Sequence, residues 1–300
     1  MPIYIDEARV RDALGIDVVI AALRKAFLAQ AQGSVVNLPR SRAKLLGNSM
    51  NITAASDAAS DRYAVKIYGS GNFHIHLYDR TQGLLAICEA DWLGQLRTGA
   101  ANGLAASLMA RPQSRVVGLI GAGRQAIAQL LALEALGLME EVSVYARRRD
   151  KLAEFCERMG KRLRADIRMA DSVEKAVVRA DIVVTATNAL NFVVPRAAVR
   201  AGTHINGVGA NAANRMEIDP VLVDVCALIV TDDIDQARGE AGEFLALGEK
   251  FDWSRVRPLC DLVASGTSDR SDKDITFYKS LGAGIEDLAA ASALYDVLTG

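Results

Sequence analysis

The sequence predicts an α/β protein of two domains, and three observations predict it. From Arg115 onward, strand-like and helix-like segments alternate, the pattern of a parallel sheet covered by helices. The first of these units runs from strand-length Val116–Ile120 into Gly121-Ala122-Gly123-Arg124-Gln125-Ala126, and an Ala/Leu-rich helix follows over 125–136 before Gly137. Ahead of Arg115 the chain reads as hairpins instead, antiparallel in flavour, so the two regions should not share a sheet.

The Gly-x-Gly-x-x-Ala turn has a specific physical logic. Gly121 can take a positive φ, Gly123 has no Cβ to keep a pyrophosphate away from the backbone, and small Ala126 lets the helix pack closely on the strand. The N–H groups at the start of that helix then face the phosphates. Further strands are expected over Glu141–Tyr145, 167–169, 181–186, 203–208 and 227–231, with helices over 150–159 and 172–179. Together these define a Rossmann dinucleotide-binding domain over 115–263.

The remaining segments form a split α+β domain, 1–114 with 264–300. It opens with a short strand, Ile3–Ile5, and a helix in which Val18, Ala21, Ala22, Leu23, Ala26 and Phe27 recur at helical spacing up to Gly33. A basic strand edge follows at Asn37-Leu38-Pro39-Arg40-Ser41-Arg42-Ala43-Lys44, then strands around 50–55, 63–68, 74–79 and 84–89. Arg97-Thr98-Gly99 is expected to open a helix with Thr98 as its N-cap. A last helix over 285–298 follows the Rossmann region and returns to the first domain.

Composition narrows the classes of function. The 300 residues hold 35 basic and 36 acidic side chains, a net charge of −1 that offers no electrostatic footprint for nucleic acid or anionic membrane. The expected partner is a small molecule or another copy of the chain. Cys88, Cys156, Cys226 and Cys260 are widely spaced, the pattern of buried thiols in a reducing cytoplasm rather than of a disulfide framework or zinc site. His74 and His76 would share a strand face, but no third ligand is in view, and no metal is expected.

The end of the second Rossmann strand chooses between cofactors. An acidic residue there holds the ribose 2′-hydroxyl of NAD(H), and its replacement by cations suits the 2′-phosphate of NADP(H). The chain has Ala146-Arg147-Arg148-Arg149, so NADP(H) is preferred, with Arg147 and Arg148 as phosphate partners and NAD(H) as the alternative. Lys66 stands inside an apolar strand, either snorkelling from a sheet edge or serving chemistry. Arg97, beside a helix start, suits a carboxylate clamp.

Along nearly its whole length the chain resembles the ornithine cyclodeaminase/μ-crystallin family. The resemblance is carried by Pro39-Arg40-Ser41, Val65-Lys66, Arg97-Thr98-Gly99-Ala100, the Gly121 to Ala126 turn, Ala180-Asp181-Ile182-Val183-Val184-Thr185-Ala186-Thr187, Gly202-Thr203-His204-Ile205-Asn206, and Ile275-Thr276 with Lys279-Ser280-Leu281-Gly282. It implies a homodimer built through the split domain. It also implies substrate binding by Arg40, Arg97 and Thr98, with Lys66 near the reacting carbon. Cofactor contacts are implied at Gly121, Gly123, Arg124, Gln125, Ala126, Thr185, Thr187, Ser280 and Gly282. A lysine shielded by cofactor and substrate can donate a proton, because desolvation lowers its pKa toward the working range.

One residue departs from the family pattern. Where cyclodeaminases carry an aspartate, this chain has Asn211, in Ala210-Asn211-Ala212. An amide cannot act as a base, although it can orient an amine or imine. The expected activity is therefore NAD(P)H-dependent reduction of an α-imino acid to an L-amino acid, or the reverse dehydrogenation, with Lys66 and Asn211 as catalytic residues. The alternatives are ornithine cyclodeaminase and an NADPH-dependent binding protein of μ-crystallin type.

Overall fold

The computed structural model describes residues 1–45, 48–69 and 71–300. They divide into unit 1, residues 1–101 with 282–300, and unit 2, residues 102–281. In unit 1 the chain forms β1 (Ile3–Ile5), α1 (Glu7–Ala13) and α2 (Ile16–Ala31), then five strands, β2 (Val35–Leu45), β3 (Asn48–Asp57), β4 (Arg62–Gly69), β5 (Asn72–Asp79) and β6 (Gly83–Glu89). The six strands lie in the order β1-β6-β5-β4-β3-β2, antiparallel except where β1 pairs parallel with β6. The basic strand β2 is thus an edge. Val19, Leu23 and Phe27 of α2 and Ile75 and Leu77 of β5 are buried, and each such side chain contributes about 1.5–3 kcal/mol on leaving water.

Helix α3 (Asp91–Met109) starts six residues before the expected Arg97. Its first N–H groups are capped from a distance: the Glu7 carboxylate accepts from Asp91 N at 2.6 Å and Trp92 N at 3.1 Å. Thr98 is consequently not an N-cap. It lies inside the helix, where its hydroxyl donates to the Gly94 carbonyl at 2.8 Å.

Unit 2 alternates as expected: β7 (Val116–Ile120), α4 (Arg124–Ala135), β8 (Glu141–Tyr145), α5 (Arg149–Gly160), β9 (Asp166–Met169), α6 (Val173–Val177), β10 (Ile182–Thr185), β11 (His204–Gly207), α7 (Pro220–Asp224), β12 (Leu228–Thr231), α8 (Ile234–Glu240), α9 (Gly242–Leu245), β13 (Val256–Pro258), α10 (Leu259–Ser265) and β14 (Thr276–Lys279). All eight strands are parallel, in the order β13-β12-β14-β11-β10-β7-β8-β9. The sheet reverses direction of growth between β7 and β10, the crevice at which doubly wound folds take their ligands. Ile182 and Val184 enter one core with Val117, Leu119 and Val144, while Val183 enters the other with Ile205, Ile229 and Phe277.

The structure draws the boundary differently from the expected 115–263. β14 lies between β11 and β12 in the parallel sheet, so residues 264–281 belong to unit 2. Its Lys279 is buried by a tertiary partner, Glu243, and a lysine in so short a segment conceals the strand from a hydropathy reading. Residues 102–114 also fall in unit 2, so the division passes within α3 rather than after it, at the expected 114.

The chain returns to unit 1 as α11 (Gly284–Thr299), which packs on β2, β3, β4 and α2. Gly284 lies so close to Ala54 that a Cβ would run into the Ala54 carbonyl, which lets the helix start sit directly on the sheet. Among the described residues no helix is long and apolar enough to cross a membrane, and all four cysteines are buried free thiols.

Candidate active site

In unit 1 the charged side chains meet where the first turn of α11 lies on the sheet. Lys66 and Thr53 are register partners on β4 and β3, so their side chains share a face. Asp287 receives both: Lys66 Nζ donates to Oδ1 at 3.1 Å and Thr53 Oγ1 donates to Oδ2 at 3.0 Å. Arg97 of α3 donates Nε to the same Oδ1 at 3.0 Å and Nη1 to Glu286 Oε2 at 2.7 Å. Arg40 of β2 donates to the Gly282 carbonyl at 2.8 Å.

Burial sets the acid–base character of this cluster. Lys66 is 4% exposed, and desolvation pushes its ammonium down to about 8 against the pull of the Asp287 carboxylate. For Asp287 burial works upward, but the Arg97 and Lys66 charges outweigh it and hold the carboxyl below its ordinary range. The pair is therefore an ammonium close to neutrality beside a firmly ionised carboxylate. Two glycines leave it room: a Cβ on Gly94 would stand 3.2 Å from Lys66 Nζ, and one on Gly282 would collide with the Arg97 guanidinium.

Unit 2 carries the nucleotide-type loop. Gly121 has φ +111°, and a Cβ there would strike the Ala186 carbonyl. Open space lies before the Cβ position of Gly123, no side chain caps α4, and Ala126 is buried against the sheet. Gln125 Oε1 is buried with no partner. An uncapped helix start behind an open glycine, with a spare acceptor alongside, fits a dinucleotide's phosphates and hydroxyls. Arg124, Arg147 and Arg148 are exposed, the last two just past the end of β8.

A buried carboxylate organises the neighbouring loops. Glu217 Oε1 accepts from Thr187 N at 2.6 Å, and Oε2 accepts from Gly209 N at 2.6 Å, Ala210 N at 3.1 Å and Thr185 Oγ1 at 3.1 Å. Its own N–H donates to Glu243 Oε1 at 2.9 Å, and Glu243 pairs with Lys279 at 2.7 Å. Burial raises the Glu217 carboxyl, with the Lys279 charge and the Thr187 hydrogen bond opposing. Half-buried Asn211 lies one residue past this clamp.

Arg40, Lys66, Arg97, Thr98 and Gly282 thus lie in unit 1, and the structure brings Lys66 and Arg97 together on Asp287 while Arg40 and Arg97 both meet Gly282. Gly121, Gly123, Arg124, Gln125, Ala126, Arg147, Arg148, Thr185, Thr187, Asn211 and Ser280 lie in unit 2. The Thr185 hydroxyl is directed to Glu217, and Ser280 N donates to the Gly207 carbonyl at 3.0 Å. Sequence reasoning missed Thr53, Glu286 and Asp287 in the first unit and Glu217, Glu243 and Lys279 in the second. Glu286-Asp287 did carry a signal: two adjacent acids at the start of a helix in which residues 288–295 hold no other charge.

Comparison with known proteins identifies the family. The alanine dehydrogenase of Archaeoglobus fulgidus is 36% identical over 219 residues, 71% of this chain and 66% of that protein's length. The Delta(1)-pyrroline-2-carboxylate reductase of Paracoccus denitrificans is 36% identical over 230 residues, 75% of this chain and 72% of that one. The structure of the Thermococcus litoralis Delta(1)-pyrroline-2-carboxylate reductase, in complex with NADH and L-proline, superposes with a TM-score of 0.93 at 28% identity, covering 98% of this chain and 96% of that one. Residues 4–300 match the Ornithine cyclodeaminase/mu-crystallin family, and the chain belongs to it.

Proposed function

We propose that this protein is an NAD(P)(H)-dependent oxidoreductase that reduces an α-imino acid (ketimine) to an L-amino acid, or dehydrogenates the amino acid in reverse. The observation that carries the reading is the buried Lys66–Asp287 pair, with its ammonium near 8, flanked by Arg97. Reduction of a C=N bond beside a carboxylate requires a proton at nitrogen and a cationic partner for the carboxylate. A reduced nicotinamide, when bound, supplies hydride to the imine carbon. Lys66 gives the proton to nitrogen, and the neighbouring Asp287 carboxylate favours its return to the ammonium form. Arg40 and Arg97 take the substrate carboxylate, Arg97 sharing its guanidinium with Glu286 and Asp287. Thr98, bonded inside α3, supports the Arg97 backbone. Asn211 orients the nitrogen by hydrogen bonding, since an amide cannot serve as a base.

In unit 2 the α4 start takes the pyrophosphate of the cofactor, with Gln125 as an acceptor for a hydroxyl. Arg147 and Arg148 are exposed, and Ala146 stands where an acid would repel a 2′-phosphate, so NADP(H) is the preferred form. Replacing both arginines by alanine should lower the NADPH/NADH ratio of kcat/KM about tenfold or more. The partner subunit is a second copy: Val36, Leu38, Tyr63 and Ile67 are exposed on the sheet face opposite Lys66. Sedimentation of Leu38→Glu as a monomer, against a dimer for the unaltered chain, would support that interface. Cytoplasmic residence fits the four reduced thiols.

The test is NADPH and NADH oxidation, followed by absorbance, with cyclic imino acids and with keto acids plus ammonia or methylamine, repeated with Lys66→Ala. Turnover that disappears in the variant is expected. Ammonia released from ornithine without net change in nicotinamide absorbance would instead indicate cyclodeamination, and cofactor binding without turnover a binding protein.

A further inference from the structure

The row of side chains next to Lys66 on its sheet face is aromatic. Residues two apart on a strand share a face, and register partners share it too, so Tyr68 lies on the face of Lys66 and Thr53, with Phe73 of β5 opposite it. On the other flank the register of β2 shifts at a bulge between Leu38 and Ser41, after which Arg42 pairs with Asn51 and Asn51 with Tyr68, so Arg42 stands in the same row. The Tyr68 and Phe73 rings stack, with centroids 5.6 Å apart and planes 15° from parallel. Lys66 Nζ lies 5.6 Å from the centre of the Tyr68 ring.

The surroundings of Nζ leave the direction of those rings to a substrate. Asp287, in the first turn of α11, bonds to Nζ from one side. On α3 a Cβ at Gly94 would stand 3.2 Å from Nζ, so that helix passes too close for a substrate side chain to enter. Helix α11 then continues toward Arg62, with which Asp296 pairs at 2.7 Å, and so runs along β4 away from Tyr68. Ile75 and Leu77, farther along this face of β5 where α11 packs, are fully buried, whereas Tyr68 and Phe73 are half-buried. Burial pushes the Tyr68 hydroxyl up, and Arg40, Arg42 and Arg97 draw it down, which sets the ring within range of the charges around Lys66.

We propose that the stacked Tyr68–Phe73 pair is the wall that receives the substrate's side chain, that Tyr68 is its specificity-determining residue, and that the substrate is an α-imino acid with an apolar side chain longer than a methyl group. This rests on the imine-reductase reading, which it narrows to a substrate class. A nitrogen within hydrogen-bond reach of Nζ brings the carbons attached to it toward the Tyr68 ring. Apolar carbon laid on an aromatic face removes water from both, so each carbon that reaches the wall adds to binding. A methyl group ends before it can use the ring pair.

The experiment compares pyruvate, 2-oxobutyrate and 2-oxopentanoate, each with ammonia and reduced cofactor, in the unaltered protein and in Tyr68→Phe, Tyr68→Ala and Phe73→Ala. In the unaltered protein kcat/KM should rise about fourfold for each methylene added, chiefly through KM. Tyr68→Phe should keep that rise, Phe73→Ala should weaken it for 2-oxopentanoate, and Tyr68→Ala should level it. A merely structural role for Tyr68 would lower all three substrates by one factor and leave the rise intact, which overturns the proposal, as does a level series in the unaltered protein. Should no imine turn over, calorimetry with lactate, 2-hydroxybutyrate and 2-hydroxypentanoate in the presence of oxidised cofactor still decides. Affinity that grows with chain length and levels in Tyr68→Ala supports the wall, and equal affinities, or none measurable, reject it.

Discussion

Each unit buries a lysine against a carboxylate, and the two pairs serve opposite ends. In unit 2, Lys279 and Glu243 are fully buried 2.7 Å apart, and the adjoining Glu217 is saturated by donors from the loops after β10 and β11. Most of those donors are backbone N–H groups, which cannot leave, so that network holds loops in place. In unit 1, Lys66 and Arg97 share one oxygen of Asp287, and Arg97 also reaches Glu286. Burial disfavours the ammonium there, and desolvation brings Lys66 down to about 8. The two lysine–carboxylate pairs thus differ in what surrounds them: backbone N–H groups in unit 2, and charged side chains in unit 1.

The sharpest way to break this comparison is to remove each lysine-linked group in turn. Lys66→Met should lower imine reduction about 10²- to 10⁴-fold while leaving cofactor affinity, read by fluorescence titration, close to that of the unaltered protein. Loss of both together would show that Lys66 is structural after all. Glu217→Ala should do the converse, costing about 3–5 kcal/mol in denaturant unfolding by leaving four buried or part-buried donors without their acceptor. A stability loss no larger than that of Lys66→Met would remove the distinction between the two networks.

A smaller effect concerns pH. Reduction needs Lys66 protonated, so kcat/KM in that direction should fall as pH rises through about 8, whereas dehydrogenation, which needs the neutral amine, should rise. Asp287→Asn withdraws a charge that favours the ammonium while burial remains, so the limb should move to lower pH. A limb at the same pH in the variant would mean that another group titrates. The smallest expected effect is at His204, whose buried ring lies between Thr276 Oγ1 and Asn206 Oδ1, both at 2.9 Å, and which burial pushes down to about 3. Its imidazole NMR signals should not titrate between pH 5 and 8, and titration there would show that unit 2 admits water to its core.

What was legible beforehand lay in residues whose meaning is local. Gly121, Gly123 and Ala126 announce a turn because backbone freedom and small size act within six residues, and the bases at Arg147 and Arg148 stand at a place set by the preceding strand. Lys66, Arg40 and Arg97 were singled out through the family resemblance. Their partners were not: Asp287 is 221 residues from Lys66 and 190 from Arg97, and two acids at a helix start do not say which distant cations they meet. Thr98 was misplaced as a cap for the same reason, since the carboxylate that caps α3 is Glu7.

The sequence by itself determined the alternation of strands and helices, the nucleotide-binding turn and the presence of an antiparallel companion sheet. Periodicity and glycine placement are short-range properties, written in consecutive residues. The tertiary structure alone decided that β14 belongs among the parallel strands, that Asp287 tunes Lys66, and that the β2 bulge puts Arg42 on the face of Thr53 and Lys66. Each of these depends on strand register or on desolvation, and both arise only when distant segments pack against one another.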